Sequence, residues 1–299
     1  MLNYNRLYTS FSLVFSRTFI WEAHNRTCSI FLSYRKILHT FNFFLLVCGN
    51  LCYYRNMENM ITVTDITSAY GRKQILQGTS FTAQRGECVG IVGANGCGKS
   101  TLLSVLAGTL KPKSGEVLYY GRCAWSDGKG AGRDVRQRAG GMRGDREVIR
   151  QMTGDVPQEN PLIPELTVYD NLRLWYPDRR KLEEELAQGF LSLLGIGAYQ
   201  GRQVSKLSGG MKKRVSIGIA MAGMPPILLL DEPSAALDLV CKEDIRRYLQ
   251  VYLERKGTVV ITTHEESELD LCHKLYVMKD GRLQQADSRL RGEALVRMF

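Results

Sequence analysis

Apolar residues fall into short continuous runs and into one longer stretch with helical spacing. Cys88–Val92 and Ile227–Leu230 are apolar runs of strand length, as is typical of strands buried on both faces of a parallel sheet. Val259–Thr263 is a third run, rich in β-branched residues. Residues 164–206 instead repeat their apolar positions at helical spacing. The pattern predicts an α/β fold with a mainly parallel core sheet flanked by helices. The predicted helical face consists of Leu182, Leu186, Phe190, Leu193 and Leu194.

A glycine-rich segment follows the first apolar run. Residues 93–100 fit the pattern G-x-x-x-x-G-K-[ST] at every fixed position, and Thr101–Ala107 has the character of a helix. In such a loop the backbone N–H groups face phosphates, the lysine reaches the β/γ oxygens, and the serine hydroxyl ligates Mg²⁺. A chance glycine-rich turn would lack this strand and helix, so the segment predicts a nucleoside triphosphate site. Its residues are Gly93, Ala94, Asn95, Gly96, Cys97, Gly98, Lys99, Ser100 and Thr101.

Two carboxylates end the apolar run Ile227–Leu230. A buried strand of this kind delivers an acid to Mg²⁺ at its C-terminal edge, so Asp231 is the candidate metal ligand. Glu232 can polarise the attacking water as a general base. A run ending in Asp-Glu is also a common transition from strand to turn. Only together with the phosphate loop does it predict hydrolysis.

Ser208, Gly209 and Gly210 precede a segment of helical character. They predict either a second anion-binding helix N-terminus or an ordinary N-cap turn. With Leu207 they match the Leu-Ser-Gly-Gly signature of ATP-binding cassette (ABC) transporters, and the chain resembles the ATP-binding subunit of that family from about residue 61 to residue 283. The family usually has Gln after this motif; Met211 here resembles its exporter-like branches.

The resemblance implies roles for four further residues. Tyr70 matches the aromatic residue that stacks on adenine, although a packed strand residue is the alternative. Gln158 matches the glutamine that touches Mg²⁺ and connects to the membrane partner. Asp238 matches the loop that communicates across the dimer, and His264 matches the switch histidine at the γ-phosphate.

The resemblance also implies an organisation. We expect an ABC domain at 57–287, with a small antiparallel β subdomain near the adenine and a helical subdomain inserted at about 159–206. A short tail would follow at 288–299. The family closes the signature of one cassette over the ATP bound to another. Because this chain has one phosphate loop and one signature, it needs a second nucleotide-binding domain, either a second copy or a paralogue.

The implied function is ATP hydrolysis that powers transport of an unknown substrate through separate transmembrane permease subunits. The protein would be cytoplasmic and peripheral on the inner face of the cell membrane. The alternative is a soluble ABC-type ATPase acting on the ribosome or on nucleic acid. Ribosome-acting relatives typically carry two cassettes on one chain, whereas this chain carries one.

Charge separates the N-terminal segment from the rest. The net charge is +10, and residues 1–56 contribute half of it, with six Arg/Lys against Glu22 alone. Their best apolar stretch, Phe41–Tyr54, is shorter than the ~20 residues of a membrane span. We expect this extension to lie outside the native protein, with translation starting at Met57 or Met60. An amphipathic membrane anchor and a signal sequence are the alternatives.

Residues 121–150 are rich in glycine and arginine, with eight basic and four acidic residues. We expect a lengthened, solvated loop that does not pack into a core. Without interleaved aromatic residues, nucleic acid is not an expected partner. The eight cysteines have no metal-ligand spacing, which indicates a reducing compartment. For Cys97, a small residue tolerated in the loop is favoured over a reactive thiol.

Overall fold

A computed structural model describes residues 59–127, 143–176 and 178–299. All of them belong to one unit of the chain, Met57–Phe299. The expectations for residues 1–56 lie outside the described residues. Among the helices of the described ranges, none is both long and apolar enough to cross a bilayer.

The described ranges form two sheets. One is antiparallel, with strand order β2-β1-β4-β5-β6. The other has the order β11-β10-β3-β9-β8-β7, in which every neighbouring pair is parallel except β10 and β11. The strands are β1 (Asn59–Tyr70), β2 (Lys73–Gln84), β3 (Cys88–Val92), β4 (Ser114–Tyr119), β5 (Arg122–Ser126), β6 (Arg143–Gly144), β7 (Thr153–Val156), β8 (Ile227–Asp231), β9 (Thr258–Thr262), β10 (Lys274–Lys279) and β11 (Arg282–Ala286).

Helices connect the parallel strands, as the crossover between parallel strands requires. The longest, α7, joins β8 to β9, and α6 leads into β8. The α-helices are α1 (Lys99–Leu106), α2 (Arg146–Met152), α3 (Val168–Arg173), α4 (Arg179–Gln188), α5 (Phe190–Leu193), α6 (Gly209–Ala220), α7 (Leu239–Glu254), α8 (Glu266–Leu269) and α9 (Gly292–Val296).

The parallel sheet separates two hydrophobic cores. Leu228 and Leu230 of β8 belong to the core that includes the helices from α3 to α7. Ile227 and Leu229 belong to the other core, which includes α1 and the antiparallel sheet. Because successive side chains of a strand point to opposite faces, a strand between two cores must be apolar at every position. This explains the uninterrupted apolar runs, and all residues of β3, β8 and β9 are buried.

The predicted fold class is confirmed. The chain is an α/β protein with a mainly parallel core sheet, a smaller antiparallel sheet and a helical segment between β7 and β8. The predicted strands at Cys88–Val92 and Ile227–Leu230 match β3 and β8.

The expectation of an unpacked loop at 121–150 is wrong at both ends of that segment. β5 and α2 lie there, and Trp125 is buried, with its indole N–H donating to the carbonyl of Val105 at 2.9 Å. Gly144 lies against the indole ring, where an added Cβ would be 2.2 Å from the nearest ring atom. A few apolar residues suffice here because one large aromatic ring covers the edge of the core. Residues 128–142 lie outside the described residues.

The helical segment is less continuous than its spacing predicts. Gly189 is extended, and the Glu185 carboxylate accepts the amide hydrogen of Phe190 at 2.8 Å, so α4 ends and α5 starts there. Leu193 is 47% exposed, whereas the other four residues of the predicted face are buried or partly buried.

The structure also adds elements after β10. Asp280 and Gly281 link β10 to the antiparallel strand β11, which has no counterpart among the predicted elements. Residues 288–299, expected to be a short tail, contain α9, and its Leu295 is buried in the core.

Candidate nucleotide site

The phosphate loop lies between β3 and α1 and depends on glycine at two positions. Gly93 has a φ of 153°, and a Cβ there would be 2.3 Å from the carbonyl oxygen of Met278. Gly98 has a φ of 115° and directly precedes α1. Residues with a side chain rarely adopt a positive φ. Glycine at these two positions therefore lets the loop curl and present its N–H groups at the start of the helix.

The other loop residues differ in exposure. Burial raises the pKa of the half-buried Cys97, and the nearby Lys99 opposes that shift only in part. A thiol with a raised pKa stays protonated and unreactive, which agrees with the interpretation of Cys97 as a tolerated small residue. The exposed loop residues are Ala94, Asn95, Gly96 and Ser100, and Thr101 is partly buried.

Lys99 directs its ammonium group back along the loop. It is 5% exposed, and its Nζ donates to the carbonyls of Gly93 at 2.7 Å and Ala94 at 3.3 Å. The same Nζ lies 3.2 Å from Nε2 of His264 and 4.0 Å from a carboxylate oxygen of Glu232. One cation therefore joins the loop to the residues that follow β8 and β9.

The two acids at the C-terminal end of β8 have different surroundings. Asp231 is 7% exposed and accepts a hydrogen bond from the Thr262 hydroxyl at 2.5 Å. Burial and the charge of Asp231 raise the pKa of the neighbouring Asp155 to about 6. Glu232 has a φ of 46°, and its amide donates to the carbonyl and the hydroxyl of Thr262 at 3.0 and 3.1 Å. The chain therefore turns sharply at Glu232, which sends its side chain away from the sheet.

Glu232 is the centre of the cluster. Its Oε1 lies 3.6 Å from Nε2 of His264, and its Oε2 accepts a long hydrogen bond from the Gln158 amide at 3.5 Å. Burial lowers the pKa of His264, and the positive charge of Lys99 lowers it further. A lowered pKa favours the neutral imidazole, whose Nε2 can accept a hydrogen bond from the Lys99 ammonium. Four predicted residues from distant parts of the chain thus meet at the C-terminal edge of the parallel sheet.

The signature residues are not part of this cluster. Ser208 caps α6, with its hydroxyl accepting the amide hydrogen of Met211 at 3.3 Å. Among the described residues, no hydrogen bond or ion pair joins Ser208, Gly209 or Gly210 to the phosphate loop. Ser208 and Gly209 are exposed.

The last two predicted residues lie on exposed surfaces. Asp238 caps α7 by accepting the Cys241 amide hydrogen at 2.8 Å, and this bond lowers the pKa of Asp238. Tyr70 at the end of β1 is 57% exposed, so the alternative of a packed strand residue is wrong.

Sequence reasoning missed three residues around the site. Thr262 forms hydrogen bonds with both Asp231 and Glu232, yet in the sequence it is only one member of an apolar run. Glu268 is 1% exposed and accepts from the hydroxyls of Ser234, at 2.5 Å, and Thr263. Lys213 is 4% exposed and donates to the backbone carbonyls of Pro157 and Gln158. For the two charged residues, the only signal in the sequence is that each one falls on the buried side of its helix, where charged residues are rare.

Comparison with known proteins identifies the family. The profile described as "ABC transporter" matches residues 76–235, more than half of the chain. The chain is 32% identical over 233 residues to the spermidine/putrescine import ATP-binding protein PotA of Spiroplasma citri, covering 76% of this chain and 61% of that protein. It is 30% identical over 249 residues to the linearmycin resistance ATP-binding protein LnrL of Bacillus subtilis, covering 80% and 74%. The chain belongs to the ABC transporter family, and it spans about three fifths of the length of PotA.

The fold agrees with this membership. The dimeric ATP-binding cassette MJ0796, solved in a post-hydrolysis state with ADP and Pi, aligns with a TM-score of 0.62 and 28% identity over 78% of this chain and all of that one. The alternative of a ribosome-acting or nucleic-acid-acting ATPase gains no support from these relatives.

Proposed function

We propose that this protein binds Mg²⁺-ATP and hydrolyses it to power transport of a substrate across a membrane through separate permease subunits. The observation that carries the proposal is the convergence of Lys99, Gln158, Glu232 and His264 at one edge of the parallel sheet. Ligands of open α/β sheets bind at this edge, and the phosphate loop opens onto it.

The site residues suit the proposed steps. The loop amides and Lys99 bind the phosphates, and Tyr70, being exposed, is free to stack on the adenine. Glu232 accepts the proton of the attacking water. His264 lies beside Lys99 and Glu232, where it can contact the γ-phosphate.

The residues proposed for Mg²⁺ fit that ion. Ser100, Gln158 and Asp231 offer oxygen ligands, which Mg²⁺ prefers, and helix α1 packs beside β8. The described residues contain no group of three or more His, Cys, Asp or Glu that could hold a metal by themselves. Held by Ser100, Gln158 and Asp231, Mg²⁺ would neutralise the negative charge that develops during phosphoryl transfer.

The proposal requires a second cassette. Ser208 and Gly209 are exposed, as they must be to close over the ATP of a partner copy or paralogue. Next to the proposed communication residue Asp238, Leu239 is 81% exposed and Val240 is 69% exposed. Adjacent exposed apolar side chains support an interface at this surface.

A second apolar surface supports a membrane partner. Ile163, Leu174 and Trp175, on either side of α3, are 43%, 61% and 56% exposed. Exposed aromatic and aliphatic residues of this kind are common at the centre of protein interfaces. The segment from Gln158 leads to this surface, so we propose that it docks the permease and holds the cassette on the cytoplasmic face of the membrane.

The transport role is tested by recovery of the tagged full chain from membranes of its own cells. We expect a membrane protein to co-purify with the wild type and with Leu193→Asp, and to be lost with Leu174→Asp. Both leucines are exposed on the helical segment, so the pair is matched. Equal recovery with both variants would contradict the docking surface, and co-purification with ribosomes instead of membranes would contradict transport.

A further inference from the structure

Lys213 is a charged residue of α6 that is buried against the segment that carries Gln158. It is 4% exposed, and its Nζ donates to the carbonyl oxygens of Pro157 and Gln158, both at 2.9 Å. Within the described ranges, no other hydrogen bond or ion pair joins α6 to these two residues. Lys213 thus supplies the hydrogen bonds between the helix and these two residues.

Burial of an ammonium group is unfavourable unless its donors are satisfied. Burial lowers the pKa of Lys213, and the negative charge of Asp231 opposes that shift. The partners of Lys213 are the backbone carbonyls of Pro157 and Gln158, which lie in a segment without regular structure. Lys213 therefore satisfies the backbone of this segment and holds it against the helix.

The same side chain connects two parts of the proposed site. Gln158 donates to the carboxylate of Glu232 at 3.5 Å, and Ser208 begins the helix on which Lys213 lies. Lys213 lies five positions after Ser208, which is a rise of about 7.5 Å along a rigid helix. A displacement of the Gln158 segment would thus be passed directly to the signature residues.

We propose that Lys213 is a positioning residue that fastens the Gln158 segment to α6, so that this segment and the signature move as one unit. The proposal deepens the proposed ATPase function and rests on it. It assigns Lys213 no contact with the nucleotide and no chemical step.

The test compares Lys213→Met with Lys212→Met in the full chain. Methionine keeps an unbranched apolar side chain and removes the ammonium. Lys212 is the matched control because its side chain has no hydrogen bond or ion pair in the described part of the structure. Hydrogen exchange of peptides that cover residues 153–163 and 208–220 is measured without nucleotide, together with the melting temperature, ATP affinity and turnover.

We expect Lys213→Met to accelerate exchange in the 153–163 peptide and to leave peptides of β9 and β10 unchanged. ATP affinity should stay near the wild-type value, while turnover falls by roughly 10-fold to 100-fold, as misplacement of a reacting group by about 1 Å would cause. Lys212→Met should match the wild type in every measurement. A purely structural role would lower the melting temperature without separating affinity from turnover.

Equal exchange in the two variants would overturn the proposal, as would equal turnover. If Lys213→Met does not fold, Lys213→Gln decides, because its amide retains two N–H donors. We then expect a protected 153–163 peptide and near wild-type turnover; a folded Lys213→Gln protein with an unprotected peptide would overturn the proposal. A wild-type chain without ATP turnover would contradict the proposed function, whereas the exchange comparison needs no nucleotide and stands separately.

Discussion

Replacement of Glu232 by Gln tests the proposed general base. The two side chains have the same shape. The contact of the side chain with Gln158 can therefore be kept. The backbone amide of residue 232 can keep its hydrogen bonds to the carbonyl and the hydroxyl of Thr262. The change removes one proton acceptor and one negative charge. A proton acceptor contributes at least about 100-fold in rate, so we expect turnover to fall by that factor or more, which is about 2.7 kcal/mol of activation free energy.

ATP affinity should not fall together with turnover in the Glu232→Gln protein. The Glu232 carboxylate lies 4.0 Å from the Lys99 ammonium, which is also held by the carbonyls of Gly93 and Ala94. At that distance two charges near a protein surface interact by about 4 kcal/mol before solvation costs are subtracted. Without the carboxylate, Lys99 is freer to turn toward phosphate, and the repulsion between Glu232 and the γ-phosphate disappears. We therefore expect ATP affinity to stay equal or to increase.

The assay is phosphate release under single-turnover conditions, with affinity measured by fluorescent-nucleotide titration. Glu266→Gln is the matched control, since Glu266 is exposed on α8 and should leave turnover unchanged. The Glu232→Gln protein should also accumulate as an ATP-bound dimer, visible by size-exclusion chromatography. A Glu232→Gln protein that hydrolyses ATP at the wild-type rate would refute the assignment.

Three further predictions concern the shared site, the antiparallel sheet and the N-terminus. Lys99→Ala should weaken ATP binding, Ser208→Arg should spare binding but block closure, and a mixture of the two should regain partial ATPase activity, because one composite site then carries neither change. No regained activity despite confirmed pairing would contradict the two-cassette site. Gly144→Ala should destabilise the fold by about 1–3 kcal/mol in a denaturant titration, since its Cβ would lie 2.2 Å from an indole ring, while Gly201→Ala, with nothing within 4 Å, should not. A chain that starts at Met57 should bind ATP and melt like the full chain; loss of salt-sensitive binding to anionic vesicles on this truncation would instead support a membrane anchor.

Several residues of the site follow a recognisable local pattern, whereas Tyr70, Gln158 and Asp238 are assigned only through the resemblance to the ABC family. A glycine-rich turn between an apolar run and a helix specifies Lys99, and the ends of two further runs specify Glu232 and His264. The carboxyl ends of parallel strands meet at one edge of a sheet, so side chains that follow β3, β8 and β9 come together there.

The contacts that hold these residues in place could not be predicted in the same way. Thr262 and Lys213 make their hydrogen bonds to residues 31 and 55 to 56 positions away, and those partners become neighbours only after the strands and α6 have packed. The sequence shows a threonine and a lysine at these positions but not which carbonyl or carboxylate each one meets.

The segment after Gly121, where the predicted lack of packing is wrong, shows that burial too depends on distant residues. Its composition argued against a core, yet Trp125 is buried because Val105 of a distant helix accepts its N–H and Gly144 leaves room for its ring. The sequence by itself determined the buried strands β3, β8 and β9 and the position of the phosphate loop between β3 and α1, since these depend on neighbours within a few residues. Only the tertiary structure decided which buried polar groups position them, because burial and hydrogen-bond partners are properties of packing between distant segments.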